Sequence, residues 1–585
     1  MVSAGLDSLR ISRRFGLAVR PRRKQREDIS VSPRRLAPLT LTLAVALTVS
    51  GCALLPESPA QLAERFHPAA ALSTPAAPLD SSLAVNVRGE QVRRPSGAVA
   101  GLALRWGTLT DDAKADAALR RVVRAAVNEH ATVLGTKYAP APSALTDGGR
   151  QRGCVAGSTL REATDVLDDH RLATDAVPHQ PRLVVTCDLV MAAGPYTAER
   201  VRVLRTDGEA VVADYTAVIV AGIDADSRTA DTLLLPESKD ALIDHVAAAL
   251  ADDARIDPVV LARWVPELRA ADLATLAADL VLLDDGALSL RVTPPNELVR
   301  SAEDTEGVGN WRDDVPVWYL PPGTEIPDPG PEQLLVAGQL TIRIAPAATA
   351  PLLSAAGSAV RDAVIADLAP SAPSVTAGSA RVDCALLPCL ALTFDDGPAP
   401  GTDAVVAALN ERDQAATFFV VGRQVPFRAE TVRRMHESGH LVASHTWDHP
   451  NLTGQTREQL ERQLGRTADA IEAATGARPG YFRPPYGAVN ATVMRVAGMP
   501  AVLWSVDPED WREPPKATLV RAATKNVRAG DIVLLHDIHA PTVVALPEML
   551  DVYQAQGFRL VTIKQLLAGK EISSTAIINS AHLIR

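Results

Sequence analysis

The sequence predicts an α/β protein whose C-terminal third holds a parallel sheet, open or closed into a barrel, preceded by an α+β accessory domain. Three observations predict it. Apolar runs at Leu390–Phe394, Ala416–Val421, Leu441–Ala443, Tyr481–Arg483, Ala501–Val506, Ile532–Leu535 and Phe558–Ile563 alternate with helical patterns, and such alternation builds a parallel sheet. Polar motifs close the first, third, fourth, fifth and sixth of these runs, the strand end at which barrel chemistry sits. At 585 residues the chain exceeds what one core organises, so two or three domains are expected.

Residues 1–36 hold ten Arg/Lys against three acids, and a short apolar run, Leu39 to Val49, follows. That run is too short to span a bilayer, which takes about 20 residues. A basic segment, a short apolar run and small residues read as an export signal over residues 1–51. The run ends at Val49-Ser50-Gly51-Cys52, which resembles the lipobox of bacterial lipoproteins. The resemblance implies cleavage before Cys52, its lipidation, and an extracytoplasmic protein held to the membrane by a lipid anchor; an ordinary signal or an uncleaved anchor is the alternative.

Net charge is -10. Removing the basic first 36 residues leaves the rest more acidic still, which disfavours a nucleic-acid partner, since that needs a basic face. Four further cysteines, Cys154, Cys187, Cys384 and Cys389, are an even number, which outside the cytoplasm points to disulfides. Domain separation favours Cys154 with Cys187 and Cys384 with Cys389 among the three pairings.

Residues 52–99 are rich in Pro, Ala and Ser with little periodicity and read as a tether. Residues 100–368 form the α+β domain. Leu119, Val122, Val123, Ala126 and Val127 repeat at helical spacing over about 111–134. Strands are expected at Leu183–Met191, Glu199–Leu204 and Ala210–Val220, the last two joined by a hairpin at Thr206-Asp207-Gly208. Helical stretches over about 236–282, strands at Ala287–Val292 and Gln339–Ile344 and a helix over about 352–367 complete it. His130, His170, His179 and His245 show no ligand spacing, so no site is expected there. A Pro/Ser linker over 369–384 leads to the domain at 385–568, with a tail over 569–585. Within that domain Thr456 and Gln459 form a capping box, ahead of an apolar face at Leu460, Leu464, Ala468 and Ile471.

The motifs carry the chemistry. Asp395 and Asp396 end the first run. Neighbours on a strand point to opposite faces, but at its end the chain can turn both toward one pocket, one to bind a metal and the other to act as a base. His445 and His449 are four apart, so one helical turn ending at Pro450 places both imidazoles on one side. Two His and one Asp leave room for water, the pattern of a catalytic metal site. Arg483, stiffened by Pro484 and Pro485, can orient a carboxylate, and the Tyr486 N–H can face an oxyanion. Asp507, ahead of Asp510 and Trp511, can hydrogen-bond an imidazole; Trp511 offers a flat wall for a sugar ring; His536 is placed for a general acid. Each alone is as readily a turn, a surface pair or a core residue. Together they equip metal-assisted acyl hydrolysis.

In that order the motifs closely resemble the NodB-homology domain of carbohydrate esterase family 4, the polysaccharide deacetylases, over about 385–568. The resemblance implies a distorted (β/α) barrel with fewer than eight strands. It implies Asp395 as base and Asp396, His445 and His449 as ligands of one divalent metal ion, usually Zn2+. Arg483 would orient Asp395, Asp507 would tune His536 as general acid, and Leu534 would line an acetyl-methyl pocket. The layout is similar to that of bacterial deacetylases carrying a preceding accessory domain. The expected activity is removal of N-acetyl groups from a cell-wall or extracellular glycan, peptidoglycan N-acetylglucosamine first. Chitin-oligosaccharide or xylan-type O-deacetylation, or a wall-glycan binding module without turnover, are the alternatives. No protein partner is inferable.

Overall fold

Long β-rich runs early in the chain become a five-stranded sheet in the computed structural model, which describes residues 69–79, 87–109, 112–145, 147–149, 151–300, 334–371, 376–378 and 380–583. The export signal, the lipobox and Cys52 lie outside the described residues. No described helix is long and apolar enough to cross a membrane.

The accessory region holds two sheets. Strand β1 (Ala70–Ser73) belongs to a four-stranded antiparallel sheet with β7 (Leu280–Leu282), β8 (Leu288–Val292) and β9 (Leu340–Ile344), in the order β1-β9-β8-β7. The larger sheet runs in chain order through β2 (Val87–Arg94), β3 (Leu102–Leu109), β4 (Arg182–Ala193), β5 (Tyr196–Thr206) and β6 (Val211–Ala221). Its pairs are antiparallel except β3 with β4, which are parallel and therefore need a crossover. Helix α1 (Ala113–Val133) lies in that crossover, capped by the Asp112 carboxylate, which accepts from the Lys114 and Ala115 N–H groups. It buries Leu119, Val123, Ala126 and Val127 in a core shared with Leu104, Val185 and Val201.

Strands β1 and β2 correct the expectation of a tether over 52–99. In Val87-Arg-Gly-Glu-Gln-Val-Arg-Arg only the two valines are apolar, so no hydrophobic pattern marks β2 as a strand. It is an edge strand paired along its length with β3, and its Glu90, Gln91 and Arg93 are buried.

Beyond residue 385 the chain closes a ring of parallel strands: β10 (Cys389–Asp395), β11 (Thr417–Val420), β12 (Leu441–Ser444), β13 (Ala501–Val502) and β14 (Ile532–His536). The central order is β12-β11-β10-β14. Single-residue bridges complete the circuit from Ser444 to Phe482, from Phe482 to Ala501 and from Val506 to Val533. The expected strand at Tyr481–Arg483 is reduced to the Phe482 bridge, because Pro484 and Pro485 have no N–H to continue a ladder. Ala391, Phe419, Ala443, Val502 and Ile532 fill the interior, while Leu392, Phe394, Phe418, Val533 and Leu535 form the core beneath the helices.

Two further strands close gaps at the start of the barrel. Strand β15 (Arg559–Leu560) pairs with the first residues of β10. Strand β16 (Ile577–Ile578) pairs with β13, and the Ala581 N–H donates to Gly530 O at 2.8 Å. The stretch expected to be a tail is therefore part of the barrel wall. Disulfides join Cys154 to Cys187 and Cys384 to Cys389. The accessory region packs on the barrel through the Tyr138 hydroxyl, which donates to Leu386 O at 2.6 Å, and the Leu145 N–H, which donates to Ala555 O at 3.0 Å.

Candidate active site

Parallel register places the first two groups. Asp395 at the end of β10 is the register partner of His536 at the end of β14, so carboxylate and imidazole leave neighbouring strands on one face. Arg483 is fully buried and spends its guanidinium on this corner. It donates to Asp395 Oδ1 at 2.7 Å, Thr393 Oγ1 at 2.8 Å, Val502 O at 2.9 Å and Leu503 O at 2.8 Å, with the Phe419 ring 4.2 Å away. Three of these contacts fix the guanidinium, and the fourth holds Asp395 against it.

The chain then turns sharply. Asp396 sits in the left-handed region at φ 71°, which swings the second carboxylate to the side of the first. A Cβ on Gly397 would lie 2.5 Å from the Asp537 carboxylate, so glycine alone fits there.

His445 follows β12, its N–H donating to Val420 O at 2.9 Å. Its Nδ1–H donates to Arg483 O at 2.8 Å, which leaves Nε2 with a free lone pair. His449 reaches the same point, but not by the expected helical turn. Residues 445–450 are non-helical, with Thr446 at φ 68° and His449 at φ 67°. Pro450 biases His449 away from helix. Gln463, on helix α2 (Arg457–Thr475), holds the loop instead, its Oε1 accepting from the Trp447 and Asp448 N–H groups at 2.9 and 3.2 Å.

The three groups fit a divalent ion. His445 Nε2 and His449 Nε2 each stand 3.4 Å from Asp396 Oδ1. Ligand atoms around a tetrahedral ion at bonds of about 2.0–2.1 Å stand roughly 3.3 Å apart. Asp396 Oδ1 is buried without a hydrogen bond, an arrangement that costs free energy unless a cation pairs with it. Electrostatics agree. Burial opposes ionisation of Asp396, but His445, His449 and His536 outweigh it and hold its carboxyl down to about 2. Burial, and then His445, lower His449 and keep it in the neutral form a metal needs.

The partner of His536 corrects one assignment. Asp507 is exposed, and its Oδ1 accepts from the Glu509 N–H at 2.9 Å. The partner of His536 is Asp510, fully buried, whose Oδ1 accepts from His536 Nδ1 at 2.8 Å. Its Oδ2 accepts from the His536 N–H and the Thr542 hydroxyl, both at 2.7 Å. Left-handed Glu509 and Glu513 bracket the 3-10 turn at Asp510–Arg512 that delivers this carboxylate. Burial works against the imidazolium, but Asp510, then Asp395 and Asp396, raise His536 to about 9.

Around this centre, Tyr486 adopts φ 60° and packs its ring against His449 at 4.8 Å, its N–H donating to no acceptor among the described residues. Leu534 precedes His536 by two and so shares its inward face. Trp511 is half exposed beneath the Arg512 guanidinium, 4.6 Å from its ring. Three residues escaped the sequence reading. Thr393 and Gln463 brace the centre from behind. Asp537 is buried, takes the Thr402 hydroxyl at 2.5 Å, and is raised to about 7 by burial and then by Asp395 and Asp396. Asp537 adjoins His536, but an apolar strand end gives no sign that the second residue is buried.

Comparison with known proteins finds matches to the C-terminal part of the chain. The family model for polysaccharide deacetylase matches residues 385–501. Peptidoglycan-N-acetylglucosamine deacetylase PgdA of Listeria monocytogenes is 41% identical over 31% of this chain and 39% of its own length. Chitooligosaccharide deacetylase of Sinorhizobium fredii is 38% identical over 30% of this chain and 91% of its own. The solved structure of peptidoglycan deacetylase PdaC from Bacillus subtilis matches at 39% identity over 32% of this chain and 92% of that one, with a TM-score of 0.31. The chain thus spans about two fifths of the Listeria relative it matches.

Proposed function

Since this chain belongs to the polysaccharide deacetylase family, we propose that it is a metal-dependent N-deacetylase of cell-wall glycan, with peptidoglycan N-acetylglucosamine as first substrate. One observation carries this reading: Asp395 braced by Arg483 and His536 braced by Asp510 flank the Asp396–His445–His449 cluster from two adjacent strands. The named activity of the Listeria relative favours peptidoglycan among N-acetylated glycans. Two disulfides suit work outside the cytoplasm, where the lipid anchor expected at Cys52 would hold the enzyme against the wall.

The residues divide the work. A divalent ion, Zn2+ by preference for a His2Asp set, would supply Lewis acidity toward water and the acetamido carbonyl. Asp395, held by Arg483, takes the proton of the attacking water. The Tyr486 N–H donates to the carbonyl oxygen as charge develops on it. His536 carries its proton on Nε2, because Asp510 claims Nδ1, and gives it to the leaving nitrogen. Leu534 packs against the acetyl methyl, and Trp511 against a sugar face.

Acetate release from purified peptidoglycan, chitin oligomers and acetylated xylan, with and without chelator, tests the reading. Chelator-sensitive release that is fastest from peptidoglycan and absent in Asp395→Asn is expected. Glycan binding without acetate release from any of the three would overturn it in favour of a binding module.

A further inference from the structure

A second concavity, of about 1090 Å³, lies at the opposite end of the barrel, between α1 and the strand starts. Cys389, which opens β10, lines it, whereas Asp395 closes the same strand. Six steps of about 3.3 Å put the two ends roughly 20 Å apart. This cleft is therefore no part of the catalytic centre.

Its charge runs against that of the chain. The protein carries a net -10, yet Arg120, Arg121 and Arg124 of α1, Arg381 of the linker and Lys564 beyond β15 line the cleft beside one carboxylate, Asp383. Arg124 is matched to Asp383 at 2.6 Å and Arg120 to Asp116 at 2.8 Å. Arg121, Arg381 and Lys564 are exposed and have no salt-bridge partner among the described residues. Gly378, Gly530 and Gly569 line it too, leaving parts of the wall without side chains. Asp383 and the buried Asp116, which Arg381 also feels, offset only part of this charge, and like charges in excess of their counterions repel one another. An anionic ligand relieves that repulsion.

The chemistry narrows the ligand. The space exceeds a single ion, and the unmatched cations come from three separate chain segments, so several anionic groups in series fit it. Two of the three are arginines, whose planar fork binds phosphate oxygens two at a time. A phosphodiester keeps one charge per unit throughout the pH range of the wall. We propose that this cleft binds a phosphodiester-linked polymer of the cell envelope, holding the enzyme on an anionic chain while the opposite barrel end addresses glycan. The anisotropy readout is independent of the deacetylase reading; only the acetate-release control rests on it.

The test uses the full chain and a fluorescent poly(glycerol phosphate) oligomer of about ten units, read by anisotropy. Saturable binding that weakens with added salt is expected. The triple variant Arg121→Glu, Arg381→Glu, Lys564→Glu is expected to weaken it at least tenfold, with acetate release from soluble chitin oligomers within twofold of wild type. A control with the same charge change elsewhere, Arg433→Glu, Arg462→Glu, Arg495→Glu, is expected to bind within twofold of wild type. If the triple variant does not fold, Arg381→Gln with Lys564→Gln replaces it, with a loss of at least threefold expected. Absence of binding by wild type, equal loss in the control, no loss in the cleft variants, or stronger competition by poly-glutamate than by unlabelled oligomer each overturns the assignment.

Discussion

Replacing Asp510 by Asn separates the general-acid pair from everything else in the site. Both Asp510 oxygens accept, Oδ1 from His536 Nδ1 and Oδ2 from the His536 N–H and the Thr542 hydroxyl. An amide has one acceptor oxygen, so its NH2 must face one of these sets. Facing Nδ1, it forces the proton to Nε2 in the neutral ring and removes the imidazolium's counter-charge. Facing the other way, it sets donor against the His536 N–H. Holding His536 at about 9 instead of 6.5 corresponds to roughly 3 kcal/mol favouring the imidazolium. The sign follows: a raised pKa stabilises the fold fully below 6.5, and that contribution fades as pH rises through about 9. In Asp510→Asn, kcat should fall about 10²–10⁴-fold and the alkaline limb of the rate profile should move toward 6.5. Initial rates of acetate release from pH 5.5 to 10, both enzymes loaded with the same ion, measure this. An unmoved limb with kcat within tenfold of wild type refutes the pairing.

The same assay on Asp507→Asn should give kcat within about threefold of wild type, because that carboxylate faces solvent. Asp396→Asn and His449→Ala should leave the fold intact but lose stoichiometric metal, checked by elemental analysis after dialysis. Arg483→Met strands the buried Asp395 carboxylate and should cost about 3–5 kcal/mol in urea unfolding. Ile578→Ala, on the buried side of β16, should cost about 2–5 kcal/mol, whereas Ile577→Ala, half exposed, should cost less than about 1 kcal/mol.

Elements that bury both faces were legible in the sequence, because hydrophobic burial writes itself into composition. Strand β10 appears as an apolar run broken only by Thr393 and followed by two carboxylates, and the capping box at Thr456 and Gln459 marks the start of α2. What the sequence did not display were elements held by backbone pairing rather than by apolar faces: edge strand β2 among its charged residues, and the two-residue β16 that seals the barrel.

The site divides the same way. Residue type and order along the chain show which side chains meet, since Asp395, Asp396, His445, His449, Arg483 and His536 all lie in motifs that follow apolar runs, and strand ends converge in a barrel. Tertiary structure decided which group serves which. Asp507 and Asp510 are three residues apart and chemically identical, and no local pattern separates them. Only the turn flanked by Glu509 and Glu513 carries Asp510 under His536 and leaves Asp507 in water. The helical spacing of His445 and His449 likewise singled out a pair that meets at Asp396, but a non-helical loop pinned by Gln463 makes that geometry. Residue type sets what chemistry is available; burial and register, which depend on contacts distant in sequence, set which copy performs it.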